Sequence, residues 1–324
     1  MMNFNTPSFP LNYKFETNLP SGFLGPTAKL LKNEKEPYIG KIIEVDRLGG
    51  EKVANKFIEI IKKTSTIKSH FILPYDEVFR DGNFIYLFRP YIDCPNLEEQ
   101  VAGDQTPNMN AYLVLWKSVL RVCKKLHQIN ISPNFFKPCN IYIGPDGKPI
   151  ITDIYPLVFN SANPQTGKSI IFLAPEFLNG DEPPGPSADV WSLSLLLLYM
   201  MTGQVPWDTK NLYRMMQNIM KGYKGLSVDV PDPLKQLIKD TIVADPSQRI
   251  SLDKMFTTEL SVSEICRTGT IVTSKVIQVQ QSTFLVCDLP KLEKGLPARQ
   301  SMKTISVQSS FLNQLRSQLS NPAK

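Results

Sequence analysis

The spacing of apolar residues changes once along this chain, and the change marks a boundary. From residue 13 to about 88 they come in short alternating or continuous runs. Residues 29–31 and 38–45 read as strands joined by the polar turn 33–37. Residues 72–79 and 84–88 read as a hairpin turning at Asp81-Gly82. Between them, residues 51–67 set Phe57, Ile60, Ile61 and Ile67 at helical spacing. Strands plus one helix predict a small β-rich lobe.

After residues 93–96 the period becomes helical. Residues 111–127 carry Leu115, Trp116, Val119, Leu120, Cys123 and Leu126 on one face. Residues 187–202 open on Ser187 as a cap and are apolar almost all round, so this helix is expected at the centre of a second lobe. Residues 212–220 and 232–243 predict further helices, and no internal repeat is present. The fold class is α+β, with a β-rich lobe over 13–90 and a larger helical lobe over 91–260. Residues 1–12 are polar, contain proline and lack periodicity, so they are expected to be disordered. Residues 261–324 are rich in Ser, Thr, Gln and Lys, with an apolar patch at 283–286 and a short amphipathic piece at 311–319. Their composition favours disorder, with docking onto the body through those two patches as the alternative.

Composition narrows the classes. Of 324 residues, 42% are apolar, enough for a substantial buried core. Five scattered cysteines with no C-x-x-C pair point away from a zinc ribbon or disulfide framework and suit a reducing compartment. The first residues lack a basic segment followed by an apolar core, so no signal peptide is expected. The most apolar run, 190–201, is short of the ~20 residues that span a bilayer. Net charge is +6, but residues 261–324 hold eight basic against three acidic side chains. The body is therefore near neutral, which argues against nucleic-acid binding. The basic tail reads as a solvated segment, or one that meets an acidic partner.

The chemistry-bearing residues fall in a recognisable order. Residues 19–27, LPSGFLGPT, hold Gly22 and Gly25, which would let a backbone approach phosphates closely. Lys41 ends a Y-I-G-K run at a strand centre, where an ammonium needs an anionic partner. Lys137, Pro138 and Asn140 form K-P-x-N, and Asp153 follows Asn140 by thirteen residues. Ala174-Pro175-Glu176, Asp189-Val190-Trp191-Ser192, residues 203–207 (GQVPW) and Arg249 in ADPSQRIS come later.

This order resembles the protein kinase family, with its Gly-rich loop, V-A-I-K lysine, H-R-D-L-x-x-x-N loop, D-F-G and A-P-E. The resemblance runs from about residue 13 to 260 and implies a two-lobed fold. It further implies ATP and Mg2+ as cofactors, with a protein substrate or protein partners. Lys41 would contact α/β-phosphates and pair with a helix glutamate. Glu59 is the nearest candidate, although Ile60 fits the inward face better. Ile92 would offer the adenine-binding N–H. Lys137 would steady the transferring phosphate, and Asn140 and Asp153 would hold magnesium. His127 would close the preceding helix and Asp189 would accept loop N–H groups. Glu176 would pair with Arg249.

The departures concern chemistry. The base position is Phe135, and a phenyl ring accepts no proton. Pro133 replaces the loop histidine, Ile154-Tyr155 replaces Phe-Gly, and Tyr142 replaces a leucine that floors the adenine pocket. Ile39 crowds the adenine roof, Pro20 and Pro26 stiffen the Gly loop, and Arg89 stands at the gatekeeper position, with Glu59 as one candidate partner. The preferred expectation is a pseudokinase: a scaffold or allosteric partner with weak or no ATP binding, intracellular and cytoplasmic. The alternative is a divergent Ser/Thr kinase that transfers the γ-phosphate to protein hydroxyls, supported by the kept Lys41, Lys137, Asn140 and Asp153. The sequence sets no oligomeric state.

Overall fold

The computed structural model describes residues 9–260, except 23, 105–107, 135, 156–169, 180–184, 223–231 and 259. Residues 9–12, expected to be disordered, are ordered by packing of Phe9 against Phe88 and by the Asn33 N–H on Asn12 O. Expectations for residues 1–8 and 261–324, including both tail patches, lie outside the described residues. So does Phe135.

The first lobe is a five-stranded antiparallel sheet in the order β1-β2-β3-β5-β4. Its strands are β1 (Tyr13–Gly22), β2 (Gly25–Lys32), β3 (Glu36–Glu44), β4 (Glu77–Asp81) and β5 (Phe84–Pro90). The period-2 alternation of β3 decides which core each residue enters. Tyr38 and Ile42 join an outer aromatic layer with Tyr13, Leu30, Tyr86 and Phe88. Ile43 joins an inner layer with Leu24, Ile85, Leu87, Phe57 and Ile61. Helices α1 (Val45–Leu48) and α2 (Glu51–Ser65) follow β3, and α2 closes that inner face with Ala54, Phe57 and Ile61.

Three strand expectations need correction. The hairpin turns at Gly82, as expected, but β4 starts at Glu77 rather than at residue 72. Pro74 has no N–H to give a ladder, and Ile72 makes only an isolated parallel bridge to Ile151. Strand β1 was not singled out by its pattern. It is an edge strand with exposed polar positions and two register shifts against β2. Residue 45 opens α1 instead of ending β3.

The second lobe is helical: α3 (Leu97–Gly103), α4 (Met109–Gln128), α5 (Pro175–Asn179), α6 (Pro186–Thr202), α7 (Leu212–Lys221), α8 (Asp232–Thr241) and α9 (Leu252–Thr257). A two-stranded sheet, β6 (Ile141–Ile143) with β7 (Pro149–Ile151), lies at its cleft side. Helix α6 is buried along almost its whole length, as its all-round apolarity requires. Its cap is Gly185 with Pro186 at the first turn, not Ser187. Proline's fixed φ and missing N–H suit that position. Trp116 Nε1 donates to Leu193 O at 2.9 Å, fastening α4 to α6.

One buried ion pair ties the far side of this lobe. Arg249 Nη1 and Nη2 meet Glu176 at 2.8 and 2.7 Å. The guanidinium also donates to the carbonyls of Val243, Ser187 and Ala244. Truncating one partner of a buried pair strands the other charge. Arg249→Met should therefore cost ~3–5 kcal/mol in urea unfolding, a fall in Tm of about 10 °C. A loss under ~1 kcal/mol would show that the pair is screened like a surface one.

Candidate functional site

The two lobes meet at Asp153, which follows β7 at a positive φ of 58°. Its side chain is 4% exposed. A carboxylate withdrawn from water must be compensated by charge and hydrogen bonds. Lys41, from the centre of β3, reaches Oδ1 at 2.6 Å, and the Tyr75 hydroxyl donates to the same oxygen. Arg89, from β5, brings Nη2 to 3.5 Å from Oδ2, and Thr152 Oγ1 donates to Oδ2 at 3.0 Å. Both carboxylate oxygens are thus engaged by this chain's own side chains.

Burial alone would raise the Asp153 carboxyl. The charges of Lys41 and Arg89, with hydrogen bonds from Lys41 and Tyr75, overcome it and hold the group well below the usual carboxylate range. Burial pulls the Lys41 ammonium down, against the pull of Asp153, and the neighbouring charge of Arg89 pulls it the same way. Burial pushes the Tyr75 hydroxyl well up, and the charge on Asp153 adds to it. Arg89 is 3% exposed, donates from Nη1 to Pro90 O at 3.2 Å, and lies 5.9 Å from the Tyr142 ring centroid. Its Nε is buried without a partner.

Lys41 therefore pairs with Asp153, not with Glu59. Glu59 is exposed on α2. It lies two positions, about 200° of rotation, from both buried Phe57 and buried Ile61, so it faces solvent. Ile60 packs against the helical lobe instead. Arg89 likewise turns to Asp153, not to Glu59.

Residues 154 and 155 point to opposite lobes. Ile154 enters the helical core, while Tyr155 packs on the inner face of the small lobe, 5.4 Å from the Phe57 ring. Lys137, Asn140, Asp153 and Thr152 do share a wall, around a cavity of about 10 Å³. That is space for one water at most. In the glycine-bearing turn, Gly22 pairs with Gly25 in register. Gly25 has φ 148°, and a Cβ there would lie 2.4 Å from Ile42 O. Close strand packing alone requires that glycine. Leu24, between the two, is buried in the inner core. Ile39 is buried, and Ile92 is half-buried just beyond β5.

The loop below is held from beneath. Asn134, at φ 61°, donates its N–H to Asp189 Oδ1 at 2.6 Å, and Phe136 N–H donates to Ser192 Oγ. His127 Nε2 lies 2.7 Å from Asp189 Oδ2. Burial pushes the Asp189 carboxyl up, opposed by His127 and the Asn134 N–H. Tyr75 and Thr152 are the partners of Asp153 that sequence reasoning missed. Neither sits in a motif, and only the bridge of Ile72 to Ile151 brings Tyr75 close.

Comparison with known proteins gives a consistent picture. The protein kinase domain model matches residues 13–261. A probable serine/threonine-protein kinase of Dictyostelium discoideum is 23% identical over 182 residues, 55% of this chain and 22% of that protein. Sperm motility kinase 2B of Mus musculus is 29% identical over 178 residues, 53% of this chain and 36% of that one. The Caenorhabditis elegans serine/threonine-protein kinase kin-29 is 22% identical over 228 residues, 66% of this chain and 26% of that protein. The chain thus spans well under half the length of these relatives. A crystal structure of Rad53 1–466 in complex with AMP-PNP superposes with a TM-score of 0.60 at 18% identity, over 76% of this chain and 64% of that one.

Removing the negative charge at the centre should expose its role. Asp153→Asn leaves two buried cations facing each other and should cost ~3–5 kcal/mol in urea unfolding at pH 7. The contribution of a depressed carboxyl is complete above its unfolded value near pH ~4 and is lost as pH falls below it. The stability gap between the two proteins should therefore narrow below pH ~4. A variant as stable as the natural chain would mean that Lys41 and Arg89 are solvated elsewhere.

Proposed function

Since this chain belongs to the protein kinase domain family, we propose that it is a non-catalytic member, a two-lobed scaffold or allosteric partner of another protein. In this reading nucleotide binding is weak or absent. The observation that carries it is the commitment of both Asp153 oxygens to Lys41, Tyr75, Arg89 and Thr152.

Phosphoryl transfer in this family is mostly positioning and electrostatics, supplied by magnesium on an aspartate and an asparagine, a lysine on the phosphates and a base on the acceptor. The residues present do not fit magnesium. Its ligands must approach to about 2.0–2.1 Å with near-octahedral order, and the Asp153 lone pairs already accept hydrogen bonds. Lys41, read as the phosphate-binding lysine, is spent on Asp153. Phe135 supplies no base, a loss worth ~10²–10⁴ in rate by itself. Arg89 lies 5.9 Å from the Tyr142 ring centroid, and the resemblance assigns both positions to the adenine pocket, which supports weak nucleotide binding. What the chain keeps intact is structural: the Glu176–Arg249 pair and the Asp189 support of the loop.

A second reading, a divergent Ser/Thr kinase acting on protein hydroxyls, draws on one observation. Lys137, Asn140 and Asp153 line the same small cavity. In that reading Asn134 or a carboxylate from elsewhere orients the acceptor, and Lys41 and Asp153 separate when nucleotide enters.

A radiolabel transfer assay on generic protein substrates separates the two. The natural chain should give no more incorporation than Asp153→Ala. Phe135→Asp alone should not restore it, because Asp153 would still be engaged by Lys41, Tyr75, Arg89 and Thr152. Incorporation by the natural chain that Lys41→Ala abolishes would overturn the non-catalytic reading.

A further inference from the structure

The charges around Asp153 add up to the wrong sign for a metal centre. Lys41 and Arg89 bring two cations to one carboxylate, and all three side chains are at most about a tenth exposed. The point is net positive before any ion arrives. Lys137 is near enough for its charge to act on Lys41 in the same sense. A divalent ion would enter this positive field from water, where it is fully solvated, and would find no vacant carboxylate lone pair. Oδ1 accepts from Lys41 and Tyr75, and Oδ2 accepts from Thr152 and faces the guanidinium.

Building on the non-catalytic reading, we propose that Arg89 is a tethered replacement for the divalent cation. It neutralises Asp153 from strand β5 and excludes magnesium, so that any phosphate-bearing ligand of the cleft would bind without metal. Three features support the assignment. A guanidinium keeps its proton at any pH a protein survives, so it is a permanent charge. The residue is fixed on a central strand between β3 and β4, with its main chain in register with Ile39 and Glu77–Phe88 pairing beside it, so its reach is set by the sheet. Its guanidinium brings Nη2 to Asp153 Oδ2 and lies 5.9 Å from the Tyr142 ring centroid, so its charge is held against the carboxylate.

Manganese binding to the full chain, counted by EPR with ADP present, tests this directly. Melting temperatures with ADP in EDTA or in Mg2+ give a second readout. The natural chain should bind no Mn2+ at millimolar metal, and Mg2+ should not enlarge any ADP shift. Arg89→Met removes one cation and frees one lone pair of Oδ2, with Thr152 still on the other, and should tighten Mn2+ binding by about tenfold or more. Arg89→Lys, which keeps the charge, should stay metal-free. Tyr75→Phe frees a lone pair of Oδ1 without removing a cation and should also stay metal-free.

Mn2+ bound by the natural chain, or an ADP shift that requires Mg2+, overturns the proposal. So does a folded Arg89→Met, judged by circular dichroism, that binds no more Mn2+ than the natural chain. If Arg89→Met does not fold, Tyr75→Phe decides: a gain of Mn2+ there assigns exclusion to hydrogen bonding rather than to Arg89. Metal-independent label transfer would sink the non-catalytic reading and leave this one standing, whereas metal-dependent transfer would sink both.

Discussion

A buried carboxylate ties the two lobes of this protein to each other. Asp153 sits at their junction, and every group that satisfies it comes from a different place: β3, β5, the connection before β4, and its own neighbour Thr152. An ion pair buried this deeply loses several kcal/mol of hydration per charge. It persists because the compensation is nearly complete, with two cations and two hydroxyls for two oxygens. The exception is Arg89 Nε, and an unmet buried donor costs about 1–3 kcal/mol. A structure that tolerates this is one in which the position of Arg89 is dictated by strand β5.

The same logic, with different partners, organises the helical lobe. Asp189 is as deeply buried as Asp153, but it meets one histidine and a backbone N–H rather than two cations. Its carboxyl is accordingly pushed up where that of Asp153 is held down. Arg249 inverts the arrangement, a buried cation met by Glu176 and three carbonyls. These two centres fix loop and helix positions far from the cleft. Asp153 differs because its partners span both lobes, so it couples them instead of bracing one. Ile154 and Tyr155 add apolar contact to that coupling, each packing into a different core.

Much of this was legible in the residues. Short apolar runs and the Asp81-Gly82 turn located four strands, β4 with its start five residues early, and apolar patterning located helices α2, α4, α6, α7 and α8 to within a few residues. The Glu176–Arg249 pair and the link from Asp189 to the loop were implied by the family resemblance and are present. Other features were hidden for physical reasons. Edge strand β1 has too little burial to show alternation. Helix α3 announces itself only by its Asn96–Glu99 capping box, a short signal that is easily passed over. Glu59 was a candidate partner of Lys41 only through the resemblance, and the better inward fit of Ile60 already spoke against it; Asp153 takes that place. Arg89 and Tyr75 could not be joined to Asp153 from sequence at all. Their contacts span 64 and 78 residues, and only the sheet order and the Ile72–Ile151 bridge bring them together.

Replacing a dissociable ion with a tethered one changes what the cleft can respond to. A divalent cation stabilises a closed arrangement in proportion to its concentration and to the nucleotide that carries it, by mass action. A side chain cannot leave, so its contribution is constant. On the proposed assignment, a domain held by Lys41, Arg89 and Tyr75 would keep one lobe arrangement at every metal level. A binding equilibrium shifts only through a difference in affinity between states, and with the cleft self-satisfied that difference must come from a partner's contacts with the surface. On the reading of this chain as a scaffold, a constant arrangement is the useful property. It presents the same surface to a protein partner without waiting for a cofactor, and it spares that partner the energy of ordering two lobes on binding.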